Sequence, residues 1–494
     1  MRTCGILMPI FSLSGKYGIG SFGKKAYEFV DFLNKGGQSY WQILPLSPTN
    51  YGDSPYQSFS SFAGNPYFID IEKLIEEGLL SEEEADSFDF GSKDDEIDYA
   101  KLYKNRYPLL KLAFERFIPD NEYDTFVREN AFWLDDYALF YAIKARNPEK
   151  AVGEWEEGLK KRNPEKIAAA SKENFEEIAF CKFLQFMFFR QWFALKTYAN
   201  EKGIKIIGDI PIYTALDSAD LWAEPEQFLV DAELKPSLVA GCPPDAFSDD
   251  GQLWGNPLYN WQYMKKDGYK WWKKRLSFAL KIYDVVRIDH FRAFESYYAI
   301  PADEETAKNG KWVKGPDMDL FEEIKKEFSG DLPIIAEDLG FLTPAVHKLL
   351  AESEFPGMKV LQFAFDTREE SDYLPHNYTK NCVVYTGTHD NDTINGWTKT
   401  AAAEDVELAR RYLHVDDNEG FNWAMMRAAM ASVADTCILM MADLLGLGSE
   451  GRINTPSTLG QNWQWRIKDG CVNDWLANIL RENTELYYRL PTEE

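Results

Sequence analysis

The stretch that decides the fold is Val285-Val286-Arg287-Ile288-Asp289-His290, a run of apolar residues that ends in an acid. Two later stretches have the same form, Ile334-Ile335-Ala336-Glu337-Asp338 and Val383-Val384-Tyr385-Thr386-Gly387-Thr388-His389-Asp390. Buried parallel strands are continuous apolar runs of this kind, and in a parallel barrel their carboxyl ends meet at one mouth. We therefore expect the acids of the three runs to lie together in an active site. These acids are Asp289, Glu337 and Asp390.

Eight short apolar runs occur along the chain, and each is followed by sequence typical of a helix. Eight is the strand number of a (β/α)8 TIM barrel, so we predict an α/β fold of this class. The runs are Gly5–Ile10, Trp41–Leu46, Ile204–Ile210, Asp284–Asp289, Pro333–Asp338, Lys359–Phe365, Cys382–Thr386 and Cys437–Leu444.

The intervals after the second and third runs are too long for one helix and two loops, which predicts insertions at the catalytic mouth. We predict a single catalytic barrel over residues 1–494. A mainly helical insertion after strand 2 covers approximately residues 50–200, and a lid loop and cleft wall after strand 3 cover 212–282. In the first insertion, Ser81-Glu82-Glu83-Glu84 has the form of a capping box, and Leu109–Phe117 and Phe132–Ala145 have apolar residues at helical spacing.

The chain has 54 Lys and Arg against 80 Asp and Glu, a formal net charge of −26 at pH 7. This charge repels a phosphate backbone, which argues against a nucleic-acid partner. The first residues resemble a strand without the apolar region of a signal peptide, and no run of about 18 apolar residues follows. We expect no membrane partner and a cytoplasmic location.

The six cysteines are scattered, and none forms a C-x-x-C pair. This pattern predicts reduced thiols, with neither a disulfide framework nor a zinc site. The cysteines are Cys4, Cys181, Cys242, Cys382, Cys437 and Cys471.

Gly18-Ile19-Gly20-Ser21-Phe22-Gly23 matches the G-x-G-x-x-G pattern of dinucleotide sites, and a helix is predicted after it at Lys24–Asn34. Such a site needs its glycines directly after a strand and an acid at the tip of the next strand, about 20 residues on. Here seven residues separate Ile10 from Gly18, and the second run ends in Ile43-Leu44-Pro45-Leu46 without an acid. We therefore predict a flexible loop at the barrel mouth, and neither a cofactor nor a metal.

Aromatic residues make up 15% of the chain, and some fall in loops rich in glycine, proline and asparagine. Three such loops are Asn50–Gln57, Leu253–Pro257 and Asn462–Arg466. Aromatic faces mixed with amide and hydroxyl groups suit a ligand that is apolar on its ring faces and polar at its edges, such as a sugar chain. Ordinary loop packing is the alternative for each of these residues.

Taken in order, these motifs resemble those of the 4-α-glucanotransferases called amylomaltases or disproportionating enzymes, a family of the α-amylase-like barrels. The resemblance covers nearly the whole chain. Two positions depart from the family pattern: Ser21 stands where Asp is frequent, and Ser457 stands where Pro-Gly is usual. The motifs that carry the resemblance are Tyr17–Gly20, Asp53–Gln57, Ala63–Pro66, Ile207–Pro211, Trp254–Pro257, Arg287–Arg292, Ala336–Gly340, Thr388–Asn391 and Asn462–Arg466.

The resemblance implies that Asp289 is the nucleophile of a covalent β-glucosyl-enzyme and that Arg287 keeps it ionised. It implies that Glu337 is the general acid and then the base, about 5–5.5 Å from the nucleophile as retaining chemistry requires. Asp390 would hold hydroxyls of the distorted sugar. The implied substrate-binding residues are Tyr51, Tyr56, Asp209, Trp254, Asn256, Arg287, His290, His389 and Asn462. For Asp209, a structural partnership with an arginine is the alternative.

The implied substrates are malto-oligosaccharides and other 1,4-α-glucans, as donor and acceptor. Tyr51, Tyr56 and the Pro243–Pro257 loop would hold the acceptor and exclude water. An α-glucan hydrolase of related fold uses the same two carboxylates and is the nearest alternative. A metal-dependent barrel of the enolase type, with magnesium held by acids at successive strand ends, is a remote alternative. We expect such an enzyme to have a lysine base at a strand end and a separate N-terminal capping domain, and this sequence indicates neither. A non-catalytic glucan-binding protein would be expected to have lost a carboxylate, and all three are present.

Overall fold

The computed structural model describes residues 2–50, 52–244, 248–328, 330–340, 342–368, 370–416 and 418–492. Within them, twelve strands form one sheet of eight parallel strands and one of four antiparallel strands. Numbered along the chain, the strands are β1 (Thr3–Leu7), β2 (Tyr40–Gln42), β3 (Lys205–Pro211), β4 (Leu238–Cys242), β5 (Gln252–Pro257), β6 (Val285–Asp289), β7 (Ser296–Pro301), β8 (Lys311–Lys314), β9 (Ile334–Ala336), β10 (Gly357–Val360), β11 (Cys382–Tyr385) and β12 (Thr436–Met440).

The eight-stranded sheet has the order β10-β11-β12-β1-β2-β3-β6-β9 and nearly closes into a barrel. All of its paired neighbours run parallel. Every apolar run predicted as a strand overlaps one strand of this sheet. The (β/α)8 prediction is therefore confirmed, and the runs are apolar because barrel strands are covered on both faces.

The two end strands of the sheet, β9 and β10, meet at the seam of the barrel. Here the Ala336 N–H donates to the Pro356 carbonyl (3.0 Å), and the Met358 N–H donates to Asp338 Oδ1 (2.6 Å). Gly357 lies against the same carboxylate, because a Cβ at this position would be 2.5 Å from Asp338 Oδ2. The Asp338 side chain, one residue after the predicted acid Glu337, therefore links β9 to β10 at the seam.

Helices surround the barrel and fill the interval between β2 and β3. The capping box at Ser81 is present, and the helices predicted in the first insertion fall on α4 and α6. The division into one catalytic domain with two insertions stays a prediction. The helices are α1 (Lys24–Lys35), α2 (Ile71–Glu76), α3 (Glu82–Asp86), α4 (Tyr99–Arg116), α5 (Asn121–Glu129), α6 (Ala131–Arg146), α7 (Glu157–Lys160), α8 (Pro164–Glu173), α9 (Phe175–Glu201), α10 (Ala219–Ala223), α11 (Trp261–Asp267), α12 (Lys270–Ile282), α13 (Met318–Lys325), α14 (Pro344–Ser353), α15 (Ile394–Thr400), α16 (Ala403–Leu413), α17 (Phe421–Ala431), α18 (Met441–Leu444) and α19 (Asp474–Leu486).

The apolar core extends from the barrel into the helical insertion. Helix α9 joins the two: its Phe188 ring packs on Phe22 with centroids 5.1 Å apart, and the indole N–H of Trp192 donates to the Ile282 carbonyl (3.1 Å). In the described part of the chain, no helix is long and apolar enough to span a membrane.

The four-stranded sheet has the order β5-β4-β7-β8, with antiparallel neighbours, and was not predicted. Strands β4 and β5 belong to the interval after β3, where the sequence predicted a lid loop and cleft wall. Strands β7 and β8 follow β6. The sheet therefore joins two loops of the barrel mouth into one wall. Residues 245–247 of the Pro243–Pro257 loop lie outside the described residues.

The glycine motif Gly18–Gly23 is explained by close packing. A Cβ at Gly20 would be 1.9 Å from the Ile10 carbonyl oxygen. The hydroxyl of Ser21 donates to Asp70 Oδ2 (2.6 Å). Serine at this position pairs with Asp70, whereas the aspartate frequent in the resembled family would face a second carboxylate.

Gly357→Ala tests the seam. Because the added methyl would meet the Asp338 carboxylate at 2.5 Å, we expect the unfolding free energy to fall by about 1–3 kcal/mol, the usual cost of overpacking. Urea unfolding measures the change. Gly153→Ala is the matched control, since its Cβ would meet the Glu233 carbonyl oxygen at an ordinary 3.6 Å, and its effect should stay within about 0.5 kcal/mol. Equal stability of the two variants would contradict the role of Asp338 at the seam.

Candidate active site

The three predicted acids lie at the mouth of the barrel. Asp289 is the last residue of β6, Glu337 directly follows β9, and Asp390 lies in the loop after β11. The N–H of His290, the residue after Asp289, donates to Glu337 Oε2 (2.7 Å). The charge of Asp390 is close enough to raise the pKa of Asp289, behind the larger effect of burial. The structure therefore brings the three acids together.

The Arg287 side chain, buried in the barrel, joins two carboxylates. Its Nη1 donates to both oxygens of Asp209 (2.8 and 2.7 Å) and to Asp289 Oδ1 (3.0 Å). Asp209 and Arg287 are register partners in β3 and β6, and Asp289 lies two residues further on the same strand face. The register of two barrel strands thus fixes the position of the Asp289 carboxylate.

Asp209 lies beneath the mouth with no exposed surface. Besides Arg287, it binds Tyr56, whose hydroxyl donates to Asp209 Oδ2 (2.8 Å). Asp209 was predicted as a substrate contact, with an arginine partnership as the alternative. In this structure it is bound to an arginine and acts on the mouth through Arg287 and Tyr56.

Three aromatic rings pack together beside these acids, and two of them, His389 and Trp463, are buried. Tyr56 stacks on His389, with ring centroids 5.0 Å apart and planes inclined by 19°. Trp463 lies 5.9 Å from each of these rings. The Tyr56 hydroxyl is 3.4 Å from His389 Nδ1. The two predicted contacts Tyr56 and His389 therefore belong to one cluster of rings. Trp463, which follows the predicted contact Asn462, is the third member.

Glu337 is held at both carboxyl oxygens: Oε2 accepts the His290 N–H, and Oε1 accepts the Leu339 N–H (2.8 Å). Burial and then the negative charge of Asp289 raise the pKa of Glu337 to about 7, against the opposing effect of Arg287 and these two hydrogen bonds. A substantial fraction of the carboxyl therefore carries a proton at neutral pH. That is the state that a general acid needs.

Asp289 has a different environment. Burial raises its pKa above the ordinary value, but the direct ion pair with Arg287 opposes that rise. The ion pair makes Asp289 the more readily ionised of the two acids. Two neighbouring carboxyl groups with different protonation suit paired nucleophilic and acid–base chemistry.

The backbone of His290 is left-handed (φ 56°) at the turn where its N–H meets Glu337. Burial, and then Arg292, lower the pKa of His290 to about 3, so its ring is neutral. The ring meets Trp254 edge to face at 4.8 Å. Among the described groups, its buried Nε2 has no hydrogen-bond partner. This nitrogen is available to a ligand hydroxyl.

Asp390 is the most open of the acids, with 46% of its side chain exposed. Its Oδ1 accepts a hydrogen bond from Asn454 Nδ2 (2.6 Å) and lies 3.4 Å from His389 Nε2. Its backbone carbonyl accepts from Arg452 Nη2 (3.0 Å). Asn454 and Arg452 were not predicted, because they lie in a loop without a strand or a family motif to mark them.

Two predicted amide contacts are engaged by the protein itself. Asn256 Nδ2 donates to the Thr214 carbonyl (2.7 Å), and Asn462 Oδ1 accepts the Thr455 N–H (3.0 Å). These amides shape the loops of the mouth. Tyr51, also predicted to bind substrate, lies outside the described residues.

The family model for 4-alpha-glucanotransferases matches residues 8–472. The 4-alpha-glucanotransferase of Clostridium butyricum is 50% identical over 486 residues, covering 98% of this chain and 100% of that protein. The 4-alpha-glucanotransferase of Thermus thermophilus is 46% identical over 502 residues, 99% of each chain.

A solved structure shows the same similarity in three dimensions. The amylomaltase of Streptococcus agalactiae in complex with acarbose superposes with a TM-score of 0.97 and 43% sequence identity. The match covers 99% of this chain and 100% of that one.

Replacing Asp289 by Asn should lower the pKa of Glu337 below about 7, because the neutral amide removes one of the two causes that raise it. Loss of a neighbouring negative charge favours the carboxylate form, so the proton leaves at lower pH. Infrared difference titration, with Glu337→Gln identifying the carboxyl band, measures the midpoint. Asp31→Asn, on the exposed face of α1, is the control and should leave it in place. An unchanged midpoint in Asp289→Asn would show that the two acids are not coupled.

Proposed function

This chain belongs to the 4-alpha-glucanotransferase family, and we propose that Asp289, Glu337 and Asp390 carry out its chemistry. It transfers a segment of a 1,4-α-D-glucan to the 4-hydroxyl of glucose or of another 1,4-α-glucan. Malto-oligosaccharides serve as donor and acceptor. The observation that supports these roles is the unequal pair, with Asp289 paired to a guanidinium and Glu337 partly protonated at neutral pH.

In the first displacement, an oxygen of the Asp289 carboxylate attacks the anomeric carbon of the donor glucan. The bond from that carbon to the leaving oxygen breaks, and Glu337 gives its proton to that oxygen. A β-linked glycosyl ester on Asp289 and a shortened glucan result. Arg287 keeps the attacking carboxylate ionised and in place.

Formation of the ester removes the charge of Asp289, which is the second cause of the raised pKa of Glu337. Glu337 is then the stronger acid and stays ionised, so it becomes a base. It takes the proton of an acceptor 4-hydroxyl, whose oxygen attacks the anomeric carbon and displaces Asp289. Two inversions restore the α configuration.

Asp390 and His290 position the sugar at the point of attack. Asp390 keeps exposed carboxylate surface beside its bond to Asn454, and His290 offers a buried, unpartnered Nε2. Acceptor and donor groups at fixed positions can hold ring hydroxyls in a distorted sugar. The 5–5.5 Å spacing of the carboxyl pair and the cytoplasmic location stay predictions.

Hydrolysis uses the same two carboxylates, and the family match favours transfer. Transfer wins when the glycosyl-enzyme meets a bound sugar hydroxyl at high effective concentration and little water. Tyr56, the partly exposed ring of the cluster that it forms with the buried His389 and Trp463, is the ring that such a sugar could contact.

Incubation with pure maltotriose tests the function. We expect glucose and a ladder of longer maltodextrins, with the total number of reducing ends conserved and the new bonds in the α configuration. Asp289→Asn should abolish nearly all of this, and Glu337→Gln should slow it by about a hundredfold to ten-thousandfold. Chromatography of the products with a reducing-end assay gives both quantities. Glucose and maltose alone would indicate hydrolysis, and a β-anomeric first product would rule out double displacement.

Tyr56→Ala should reduce transfer more than hydrolysis, because it removes the partly exposed ring on which the acceptor sugar would pack. Tyr56→Phe is the matched control: it keeps the ring but loses the hydroxyl bond to Asp209, so the overall rate should fall while the partition stays close to that of the parent. The measurement is the ratio of new reducing ends to disproportionated products over a range of acceptor concentrations. An identical ratio in the parent and both variants would place the discrimination against water elsewhere at the mouth.

A further inference from the structure

Strand β8, Lys311-Trp312-Val313-Lys314, is the outer edge of the four-stranded sheet, and all four of its residues are exposed. Trp312 leaves 42% of its surface open to solvent. An exposed indole on an edge strand is a surface that another molecule can cover.

The ring of Trp312 is packed against two side chains, Arg292 and Tyr298. The guanidinium carbon of Arg292 lies 3.8 Å from its centre, and Arg292 itself is only 5% exposed. Tyr298, directly opposite on β7, meets it at a centroid distance of 5.1 Å and 63°. A fixed aromatic surface with an open part is pre-organised for stacking, because little conformational entropy is lost when a ligand binds.

The strand register connects Trp312 to the catalytic mouth. Trp312 pairs with Tyr298, Tyr298 pairs with Gly241, and Gly241 pairs with Leu253. Directly paired residues share one face of a sheet, so these four form a row across it. With strands about 4.8 Å apart, the row spans about 14 Å.

The inner end of this row lies at the active site. Leu253 is followed by Trp254, whose ring packs on His290, the residue after Asp289. Arg292, beneath Trp312, lies only three residues beyond Asp289, a length of chain that spans at most about 11 Å. The sheet that carries the exposed indole is therefore continuous with the wall of the mouth, and Trp312 lies on the strand of that sheet most distant from Leu253.

We propose that Trp312 is an outer glucan-binding contact, on which a sugar ring of a long 1,4-α-glucan stacks while another part of the same chain lies at the catalytic acids. This inference rests on the proposed function. The ring offers an apolar face of the kind a pyranose covers, and the neighbouring Lys314 is already paired with Glu295 and Asp317. Short oligosaccharides do not reach Trp312, so the contact acts on glucan length.

A second copy of the chain, paired along the open edge of β8, is the competing occupant of this surface. Lysines at both ends of β8 oppose it, because charged side chains on an edge strand discourage pairing between sheets. Sedimentation of the parent chain and of a Trp312 variant decides between the two occupants.

The test measures binding without turnover, in the full chain carrying Asp289→Asn. In this background, Trp312→Ala should raise the Kd for amylose about tenfold, the effect of truncating one aromatic anchor. The ratio of the Kd for amylose to that for maltotriose should rise accordingly. Val313→Ala is the matched control, because Val313 is 36% exposed on the same strand but points to the opposite face. Trp312→Phe should restore most of the amylose affinity.

Trp312→Met is the second variant, since it keeps apolar volume over Arg292 without an aromatic face, and it should resemble Trp312→Ala in amylose binding. Equal losses for amylose and maltotriose, or equal effects of Trp312→Ala and Val313→Ala, would overturn the proposal. So would a parent dimer that Trp312→Ala dissociates. Failure of the proposed function gives a different result, because the parent enzyme would then not disproportionate maltotriose while amylose binding stayed measurable.

Discussion

The buried contact between Arg287 and Asp209 is the interaction on which the rest of the site depends. Neither side chain retains more than a trace of exposed surface, so each charge is stabilised by the other in place of water. The pair forms because β3 and β6 are in register, with the Tyr56 hydroxyl as a further donor. Loss of one partner would leave a buried charge uncompensated, at about 3–5 kcal/mol. The stability of the buried Asp209 charge and the ionisation of Asp289 therefore both depend on one guanidinium.

The second carboxyl, that of Glu337, lies in a different environment from that of Asp289. Glu337 follows the short strand β9 at the seam, where two backbone amides hold its oxygens and no cation of the described residues is directly bonded to it. Its neighbour Asp338 fastens β9 to β10. The barrel thus closes beside Glu337, whose pKa is raised by burial and then by the negative charge of Asp289. The two acids can therefore differ in protonation at the same pH, because Asp289 is directly paired with Arg287 and Glu337 is not.

The strands of the barrel and the acids at their ends were predictable, because buried parallel strands leave continuous apolar runs and a polar residue after each run is conspicuous. The four-stranded sheet was not predictable in this way. Strand β8 has no buried residue, and β5 contains Gly255 and Asn256 beside a bulge, so neither an apolar run nor an alternation marks them. Asp209 was singled out through the resemblance to a known family, and its pairing with Arg287 depends on the register of the neighbouring strand. Asn454 has no periodic signal.

The second sheet has a consequence for how this molecule can vary. Its four strands come in two pairs, β4 with β5 and β7 with β8, and the strand that ends in Asp289 lies between the pairs in the chain. Removal of residues 212–282 would take away β4 and β5 and leave β7 with an unpaired edge at the mouth. The segments that carry β4–β5 and β7–β8 therefore form one structural unit, although they are separated in the sequence. A segment exchange that takes both pairs of strands together also takes β6 and Asp289, because they lie between the pairs in the chain.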